Sequence, residues 1–272
     1  AKLVPASRVQ DIASSGAGFA PFAAHFDLGP FDGDLLAVPD PRTLIQLPWQ
    51  PEVGWLACDL ILDGVELEQG PRNALRAMQA KLASQGVAMK CGVECEFFLL
   101  DGSAPAGKAV IGDRMDVAAK PCYDAGALMR RFDVISALIK NMEALGWGPY
   151  QADHEDANGQ FEINWDYADA LVTADRVAFF KYMAKSIAEQ HGLQATFMPK
   201  PFAHLTGSGM HVHISLHDLT TGENLCGGGE PDMHGLSLIA LRFLGGLLQH
   251  APALSALTNP TVNSYKRLNA ST

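Results

Sequence analysis

Cysteine is scarce in this sequence and shows no metal-binding pattern. The chain has 5 cysteines in 272 residues, and no two of them form a Cys-x-x-Cys pair. An odd number of cysteines without zinc spacing argues against both a disulfide framework and a structural zinc site. We therefore predict reduced thiols in a cytoplasmic protein.

Long apolar runs and an excess of basic charge are also lacking. No stretch of about 18 consecutive apolar residues occurs, which argues against a membrane-spanning helix. The 20 lysines and arginines are outnumbered by 30 acidic residues, which gives a net charge of −10. This balance disfavours a nucleic-acid groove and an anionic membrane surface, so we expect neither nucleic acid nor membrane as a partner.

The common nucleotide-binding motifs are absent as well. The sequence contains neither GxxxxGK[ST] nor GxGxxG, and it has no internal repeat. Any nucleotide would therefore have to bind in another way.

The character of the sequence changes near residue 70. Residues 1–70 are rich in proline and glycine and contain short strand-like runs, whereas a helical apolar stripe begins at Pro71. We therefore predict a small N-terminal domain over 1–70 and a larger one over 71–272. Strands and helices then follow without regular βαβ order, which favours an α+β fold.

Further helices are predicted from apolar periodicity. Apolar residues recur at helical spacing over 125–145, over 174–191 and over 235–250. We expect Thr173 to cap the second of these helices and Gly192 to end it. The third is so apolar that we expect it to be buried.

Two carboxylates lie close together in the segment VAMKCGVECEFFLL, residues 87–100, which reads as a strand. Side chains alternate along a strand, so Glu94 and Glu96 share one face. They repel each other unless a positive group lies nearby. A solvated edge strand is the simpler alternative, but the apolar flanks favour a buried strand.

A second acidic segment, DHEDANGQFEINW, covers residues 153–165. Its centre consists of turn-forming residues, so Glu155 and Glu162 are expected to flank a loop that enters a strand. Considered alone, the segment is better explained by a hydrophilic turn.

A histidine pair follows a glycine-rich turn in HLTGSGMHVHIS, residues 204–215. On a strand, His211, His213 and Ser215 share one face. Lys200, between two prolines, and Arg267 are isolated basic residues that can meet an anion, although most such residues are simply solvated.

These segments together offer several carboxylates, imidazoles and a few cations. Hard oxygen ligands with one imidazole suit Mg²⁺ or Mn²⁺ better than zinc. Two such ions near phosphate oxygens are typical of phosphoryl transfer. The residues alone thus predict a divalent-metal enzyme that handles phosphate.

The combination resembles the glutamine synthetase family. Its first metal-binding strand is similar to VECEFFLL, its second acidic block to DHEDANGQFEI, its ATP-binding region to TFMPKP and GSGMHVHISL, and its substrate segment to NPTVNSYKRL. The segments follow the family's order. In detail they resemble most the type III group, which also contains γ-glutamylmethylamide synthetases.

The resemblance implies a fold and an assembly. It implies a small β-grasp-like N-terminal domain and a catalytic domain with a curved, mainly antiparallel sheet flanked by helices. It also implies that this sequence is part of a longer protein that forms a ring, typically a dodecamer, with active sites shared between subunits.

The resemblance also assigns functional residues. The ligands of two or more Mg²⁺ or Mn²⁺ ions would be Glu94, Glu96, Glu155, Glu162 and His211. ATP would be bound by His213, Ser215, Tyr167 and Lys200, and glutamate by Thr206, Gly207 and Arg267. The catalytic set would be Glu155, Arg267 and Tyr123, with Tyr123 at the ammonium site. The family commonly has asparagine where this chain has Thr206, which puts one substrate hydrogen bond in doubt.

The implied reaction is ATP-dependent amide formation through γ-glutamyl phosphate, with ammonia as the amine. Methylamine is the alternative, because one methyl group in a pocket is worth only about 1–3 kcal/mol. A non-catalytic relative is a remote alternative, since such a protein should have lost metal ligands.

Overall fold

The computed structural model describes residues 1–24, 28–105, 107–230 and 234–268. The chain divides into two compact units, Ala1–Gln85 and Gly86–Thr272.

The first unit is built on a small antiparallel sheet whose strand order is β1-β2-β5-β6. Its strands are β1 (Ala17–Phe19), β2 (Leu35–Pro39), β3 (Ile45–Gln46), β4 (Gly54–Trp55), β5 (Cys58–Leu62) and β6 (Val65–Glu66), and β3 and β4 form a separate two-stranded sheet. Its helices are α1 (Val9–Ser15) and α2 (Pro71–Ala83), with short 3-10 turns at Ala6–Arg8, Pro21–Ala24 and Pro41–Thr43. The sequence showed no helical period that predicts α1.

The helix α2 lies within the first compact unit, Ala1–Gln85. The domain boundary near residue 70 stays a prediction. The Asn73 side chain exchanges hydrogen bonds with the backbone of Leu60, at 3.0 and 3.1 Å. Arg72 pairs with Asp59 at 2.7 Å. These contacts join α2 to β5. They connect residues 13 positions apart, so the periodicity of the sequence does not reveal them.

The second unit is organised around one long strand, β7 (Val87–Asp101), as the sequence predicted. The other strands are β8 (Pro149–His154), β9 (Gln160–Trp165), β10 (Ala168–Asp169), β11 (Leu193–Thr196) and β12 (Met210–Asp218). Strands β9 and β10 pair along one edge of β7, β11 and β12 pair along the other, and β8 pairs with β9; all these pairs are antiparallel. The α+β prediction is confirmed.

Alternation along β7 separates core from site. Cys91, Val93, Cys95 and Phe97 are buried. On this side β7 packs against the helix α5 (Ala170–Gln190), where the rings of Phe97 and Phe180 meet edge to face at 6.0 Å. The even-numbered residues, including Glu94 and Glu96, therefore project from the opposite face of the sheet.

The start of one helix differs from the prediction. The helix α5 begins at Ala170, where the Asp169 side chain accepts a hydrogen bond from Leu171 N at 3.1 Å. Thr173 is therefore not the cap: it lies inside the helix and donates to Cys91 O at 2.8 Å. Asp169 is the better cap because its carboxylate meets the free N–H groups of the first turn. Gly192 follows the helix with φ 70°, as expected.

The remaining helices are α3 (Ala125–Arg130), α4 (Phe132–Ala144), α6 (Leu238–Thr258) and α7 (Val262–Leu268). The single helix predicted over 125–145 is interrupted at Arg131. The prediction that the apolar helix α6 is buried was wrong, because Ala240 is its one buried residue in the part of the chain described. Leu248 and Leu257, for example, are exposed. Within the described ranges, every helix is too short or too polar to cross a lipid bilayer.

Candidate active site

Strand register places the predicted acidic and imidazole side chains in two rows across one face of the sheet. In the first row, His211 on β12 lies opposite Glu94 on β7, which lies opposite Asn164 on β9. In the second row, Glu96 on β7 lies opposite Glu162 on β9. Directly opposed residues of antiparallel strands project to the same side, so the rows form one polar surface.

The second row continues to a residue that the sequence did not indicate. Asp153 on β8 lies opposite Glu162. Glu155 follows β8 immediately, and its N–H donates to Gln160 O at 2.9 Å across the turn. Alternation along β8 was a possible signal for Asp153, but the register with β9 could not be read from the sequence.

The acidic side chains are insufficiently compensated by positive charge. Burial, assisted by the charges of Glu155, Glu94 and Glu96, raises the pKa of Glu162 to about 7, against a hydrogen bond from Asn164 that lowers it. Burial, followed by the charge of Glu96, also raises the pKa of Glu155. A cation bound here would reverse both effects, because it favours the ionised forms.

The donor chemistry fits a hard divalent cation. The two rows present carboxylates and one imidazole, that of His211. The buried Oδ1 of Asn164 has no hydrogen-bond partner among the described residues. Across residues 1–24, 28–105, 107–230 and 234–268, however, no three His, Cys, Asp or Glu side chains already converge as a ligand set. The carboxylates are instead turned towards protein donors.

Those donors are identifiable for both carboxylates of β7. Glu96 Oε2 accepts from Gln160 Nε2 at 2.8 Å and from Gly209 N at 2.9 Å. Glu94 Oε1 lies 2.7 Å from His213 Nε2, so the structure pairs Glu94 with His213 rather than with His211. The metal-ligand roles of these residues stay predictions.

A cluster of predicted nucleotide-binding residues lies at the other end of the same face. Ser215 lies opposite Lys90 on β7, and His213 lies opposite Gly92. A Cβ added to Gly92 would lie 3.4 Å from Tyr167 Cβ and 3.9 Å from His213 Cβ. Because Gly92 has no side chain, the ring of Tyr167 and the imidazole can approach each other.

Lys90 also lies at this end of the face, opposite Ser215, and the sequence analysis did not predict it as a site residue. Its Nζ lies 5.8 Å from the centre of the Tyr167 ring. The available signal was the alternation of β7, which continues from Glu94 through Gly92 to Lys90. The cation of Lys90 and the Ser215 hydroxyl suit a phosphate group, and the exposed ring of Tyr167 suits a nucleotide base.

Ser215 is held by a second histidine that the sequence did not single out. Its Oγ lies 2.9 Å from His217 Nε2, and His217 Nδ1 lies 3.1 Å from Gly222 O. A carbonyl can only accept, so in the neutral ring Nδ1 carries the proton and Ser215 donates to Nε2. His217 is buried and therefore fixes the orientation of the Ser215 hydroxyl.

The predicted glutamate-binding residues meet at two glycines. A Cβ on Gly209 would lie 3.0 Å from both Arg267 Nη2 and Glu96 Oε1, and one on Gly207 would lie 3.1 Å from Arg267 Cγ. The glycines thus allow the guanidinium to approach the acidic rows. Arg267 is the last basic residue of α7.

Lys200 has a local contact of its own. Its Nζ donates to Leu205 O at 2.6 Å, and its backbone N–H and C=O both bond the Asn263 side chain, at 2.7 and 2.9 Å. These contacts hold the loop before Gly207 against α7. The predicted contact of Lys200 with ATP stays a prediction.

Tyr123 and Thr206 lie beside the acidic turn. Tyr123 has φ 63°, a conformation rare for residues other than glycine, and its N–H donates to His154 O at 2.8 Å. The negative charges of Cys122, Glu155 and Asp153 raise the pKa of Tyr123. Thr206 Oγ1 donates to Asp156 Oδ2 at 2.8 Å.

Comparisons with known proteins show which family the chain resembles. The family model described as "Glutamine synthetase, catalytic domain" matches residues 68–272. The glutamine synthetase of Rhizobium meliloti (strain 1021) is 55% identical over 270 residues, which are 99% of this chain and 61% of the relative. The glutamate–methylamine ligase of Methyloversatilis universalis is 42% identical over 271 residues, 98% of this chain and 60% of the relative.

A solved structure is similar over the same span. The structure described as "GmaS/ADP complex-Conformation 1" has a TM-score of 0.92 and 60% identity, and it covers 99% of this chain and 61% of its own. The chain thus spans about three fifths of the length of the relatives it matches.

Proposed function

Because the chain belongs to the glutamine synthetase family, we propose that the full-length protein joins ammonia to the γ-carboxylate of L-glutamate with hydrolysis of ATP to ADP. The observation that carries this proposal is the pair of rows in which His211 lies opposite Glu94 and Glu96 lies opposite Glu162. An insufficiently compensated acidic face suits the divalent ions of phosphoryl transfer.

The ions would be Mg²⁺ or Mn²⁺. Glu96, Glu155 and Glu162 would hold one and Glu94 and His211 the other, and when bound the ions neutralise charge on the transferred phosphoryl group. The structure described as an ADP complex supports nucleotide binding by this fold. In this chain, His213, Ser215 and the neighbouring Lys90 would contact phosphate, while Tyr167 would pack against the base.

The chain's own residues would orient the two organic substrates. Arg267 would bind the α-carboxylate of glutamate beside Gly207 and Gly209. A γ-carboxylate oxygen then attacks the γ-phosphorus of ATP, the bond to the bridging oxygen breaks, and ADP leaves. The amine nitrogen next attacks the γ-carbonyl carbon and phosphate departs. The ammonium ion is not nucleophilic, so a carboxylate near the amine must take its proton. Glu155 and Tyr123 would border that site.

A second candidate is glutamate–methylamine ligase activity. The specific support is the 42% identity to the ligase of that name. The two activities differ by one methyl group in the amine site, worth about 1–3 kcal/mol, so family membership does not separate them.

ADP release by the full-length protein tests both candidates. We expect Mg²⁺- or Mn²⁺-dependent ADP release with glutamate plus ammonium, and a higher kcat/KM for methylamine would favour the second candidate. No ADP with either amine would refute both and favour a non-catalytic relative. Glu162→Gln should abolish divalent-ion-dependent turnover, and unchanged turnover would remove Glu162 from the ligand set.

We further propose that the full-length protein is a cytoplasmic homo-oligomer, a ring with shared active sites and typically twelve subunits. The family supports this proposal. Light scattering coupled to gel filtration tests it, and a monomeric mass at working concentrations would contradict it.

A further inference from the structure

We propose that Asp116, which the sequence did not single out, is a positioning residue that holds the turn 155–159 and thereby the orientation of Glu155. The inference rests on the proposed function, in which Glu155 binds a divalent ion and faces the amine. A closed hydrogen-bond network beneath that turn supports this role.

The side chain of Asp116 is buried and forms hydrogen bonds with three residues around the turn. Its side chain is 1% exposed. Oδ2 lies 2.7 Å from His154 Nε2 and accepts from Gly159 N at 2.5 Å, while Oδ1 accepts from Asn158 Nδ2 at 3.0 Å. These residues precede and end the turn, so a single carboxyl group ties both of its sides together.

His154 connects Asp116 to the predicted catalytic residues. The ring is fully buried, and its Nδ1 lies 2.9 Å from Glu155 O. A carbonyl can only accept, so Nδ1 carries a proton that it donates to Glu155 O, and Nε2 shares a hydrogen bond with the Asp116 carboxyl group. The backbone O of His154 accepts from Tyr123 N at 2.8 Å. The His154 ring therefore holds the peptide of Glu155, and the His154 backbone holds Tyr123.

The far side of the turn is connected to Glu96. Gln160 accepts from Ala157 N through Oε1 at 3.1 Å and donates to Glu96 Oε2 through Nε2 at 2.8 Å. Gly159 has φ 74°, and an added Cβ would lie 2.7 Å from a methyl carbon of Ile111, so this part of the turn has little freedom. A displaced turn would therefore move Glu155 relative to Glu96.

Asp113 provides a matched control three residues away. It is also buried, and its hydrogen bonds go to Arg130 Nε at 2.6 Å and to Met115 N at 3.0 Å. Asp113→Asn and Asp116→Asn are the same chemical change at similar burial. Asp113→Asn disturbs the contact with α3, whereas Asp116→Asn disturbs the turn.

The test compares these variants in the full-length protein. Mn²⁺ binding is measured by electron paramagnetic resonance without substrates, kcat and KM are measured for ATP and for the amine, and Tm is measured by calorimetry. We expect Asp116→Asn to weaken Mn²⁺ binding about 10–100-fold, the range typical for residues that orient metal ligands. The amine KM should rise while the ATP KM stays within about twofold, and Asp113→Asn should lower Tm with Mn²⁺ affinity unchanged.

Equal Mn²⁺ affinity and amine KM in the two variants would overturn the proposal, as would a wild-type protein that binds no Mn²⁺. If Asp116→Asn does not fold, Asn158→Ala replaces it. That variant removes one donor from Asp116 at a partly exposed position, and it should weaken Mn²⁺ binding in the same direction. An unchanged affinity there would be equally decisive against the proposal. Mn²⁺ binding that responds as expected without ADP release from either amine would refute the proposed function and leave the positioning role supported.

Discussion

Glu96 and Glu162 lie directly opposite each other on β7 and β9, with both carboxylates on the same face of an antiparallel sheet. Like charges in that relation destabilise a sheet unless something offsets them. In this protein part of the offset comes from the hydrogen bonds that Gln160 and Gly209 donate to Glu96. The remaining repulsion is relieved when Glu162 takes up a proton, as its raised pKa indicates.

That pKa predicts how the stability of the metal-free protein depends on pH. Between pH 4.5, the ordinary pKa of the carboxyl, and about 7, folded Glu162 retains a proton that the unfolded chain has lost. The free energy of unfolding should therefore fall as pH rises through this window and level off above it. Thermal unfolding in the presence of a chelator measures the effect, and Mg²⁺ should restore stability above pH 7.

Glu162→Gln should flatten this part of the pH profile. Glu143→Gln, which alters an exposed carboxylate on α4, is the control and should keep the wild-type profile. The same slope in the Glu162 variant and the wild type would contradict the assignment.

Gly209→Ala should weaken glutamate binding. The new methyl group would lie 3.0 Å from both Arg267 Nη2 and Glu96 Oε1 and would displace one of them. We expect the glutamate KM to rise roughly tenfold, equivalent to about 1.4 kcal/mol. Gly245→Ala on α6, where a Cβ meets nothing within 4 Å, is the control and should leave KM unchanged. Equal glutamate KM in both variants would argue against close approach at Gly209.

His217→Ala should weaken ATP binding selectively. The variant removes the ring that orients the half-buried Ser215 hydroxyl and so removes one hydrogen bond, a loss of about 0.5–1.5 kcal/mol. Initial-rate kinetics should show a higher ATP KM with little change in the glutamate KM. A parallel rise in both constants would indicate general loss of structure, and Tm checks this directly.

Thr206→Val should weaken substrate binding, whereas Thr206→Ser should not. Valine preserves the shape of the side chain but removes the hydroxyl that donates to Asp156 at 2.8 Å, which joins the loop before Gly207 to the acidic turn. A net hydrogen bond is worth about 0.5–1.5 kcal/mol, so we expect a several-fold rise in the glutamate KM. Identical kinetics for the valine and serine variants would show that this bond has no functional role.

The sequence predicted the features that depend on local pattern. The strand over 87–100 and the separation of Glu94 and Glu96 from Cys95 follow from alternation, and both are confirmed. The family resemblance rested on such short segments too. By contrast, Thr173 was a poorer cap than Asp169 because its hydroxyl bonds Cys91 on a strand far away in the sequence.

What the sequence could not predict depends on pairing between distant segments. Asp116 reaches His154 over 38 positions, and Asp153 faces Glu162 only through the register of β8, which contains an irregularity between Pro149 and Gln151. No local period contains that information. For the helix α6, local composition gave the wrong prediction. Its apolar residues predicted burial, but several of its large apolar side chains are exposed in the structure.

The pairing of β7 with β12 has a consequence for synthesis of the chain. Residues 87–95 bond residues 210–218, so this edge of β7 has no β12 partner until the chain has grown by more than a hundred residues. An apolar strand with an open edge is a template for aggregation, and pairing over such a separation folds slowly. Ribosome-bound chains that end before residue 210 should therefore require chaperone protection that longer chains do not.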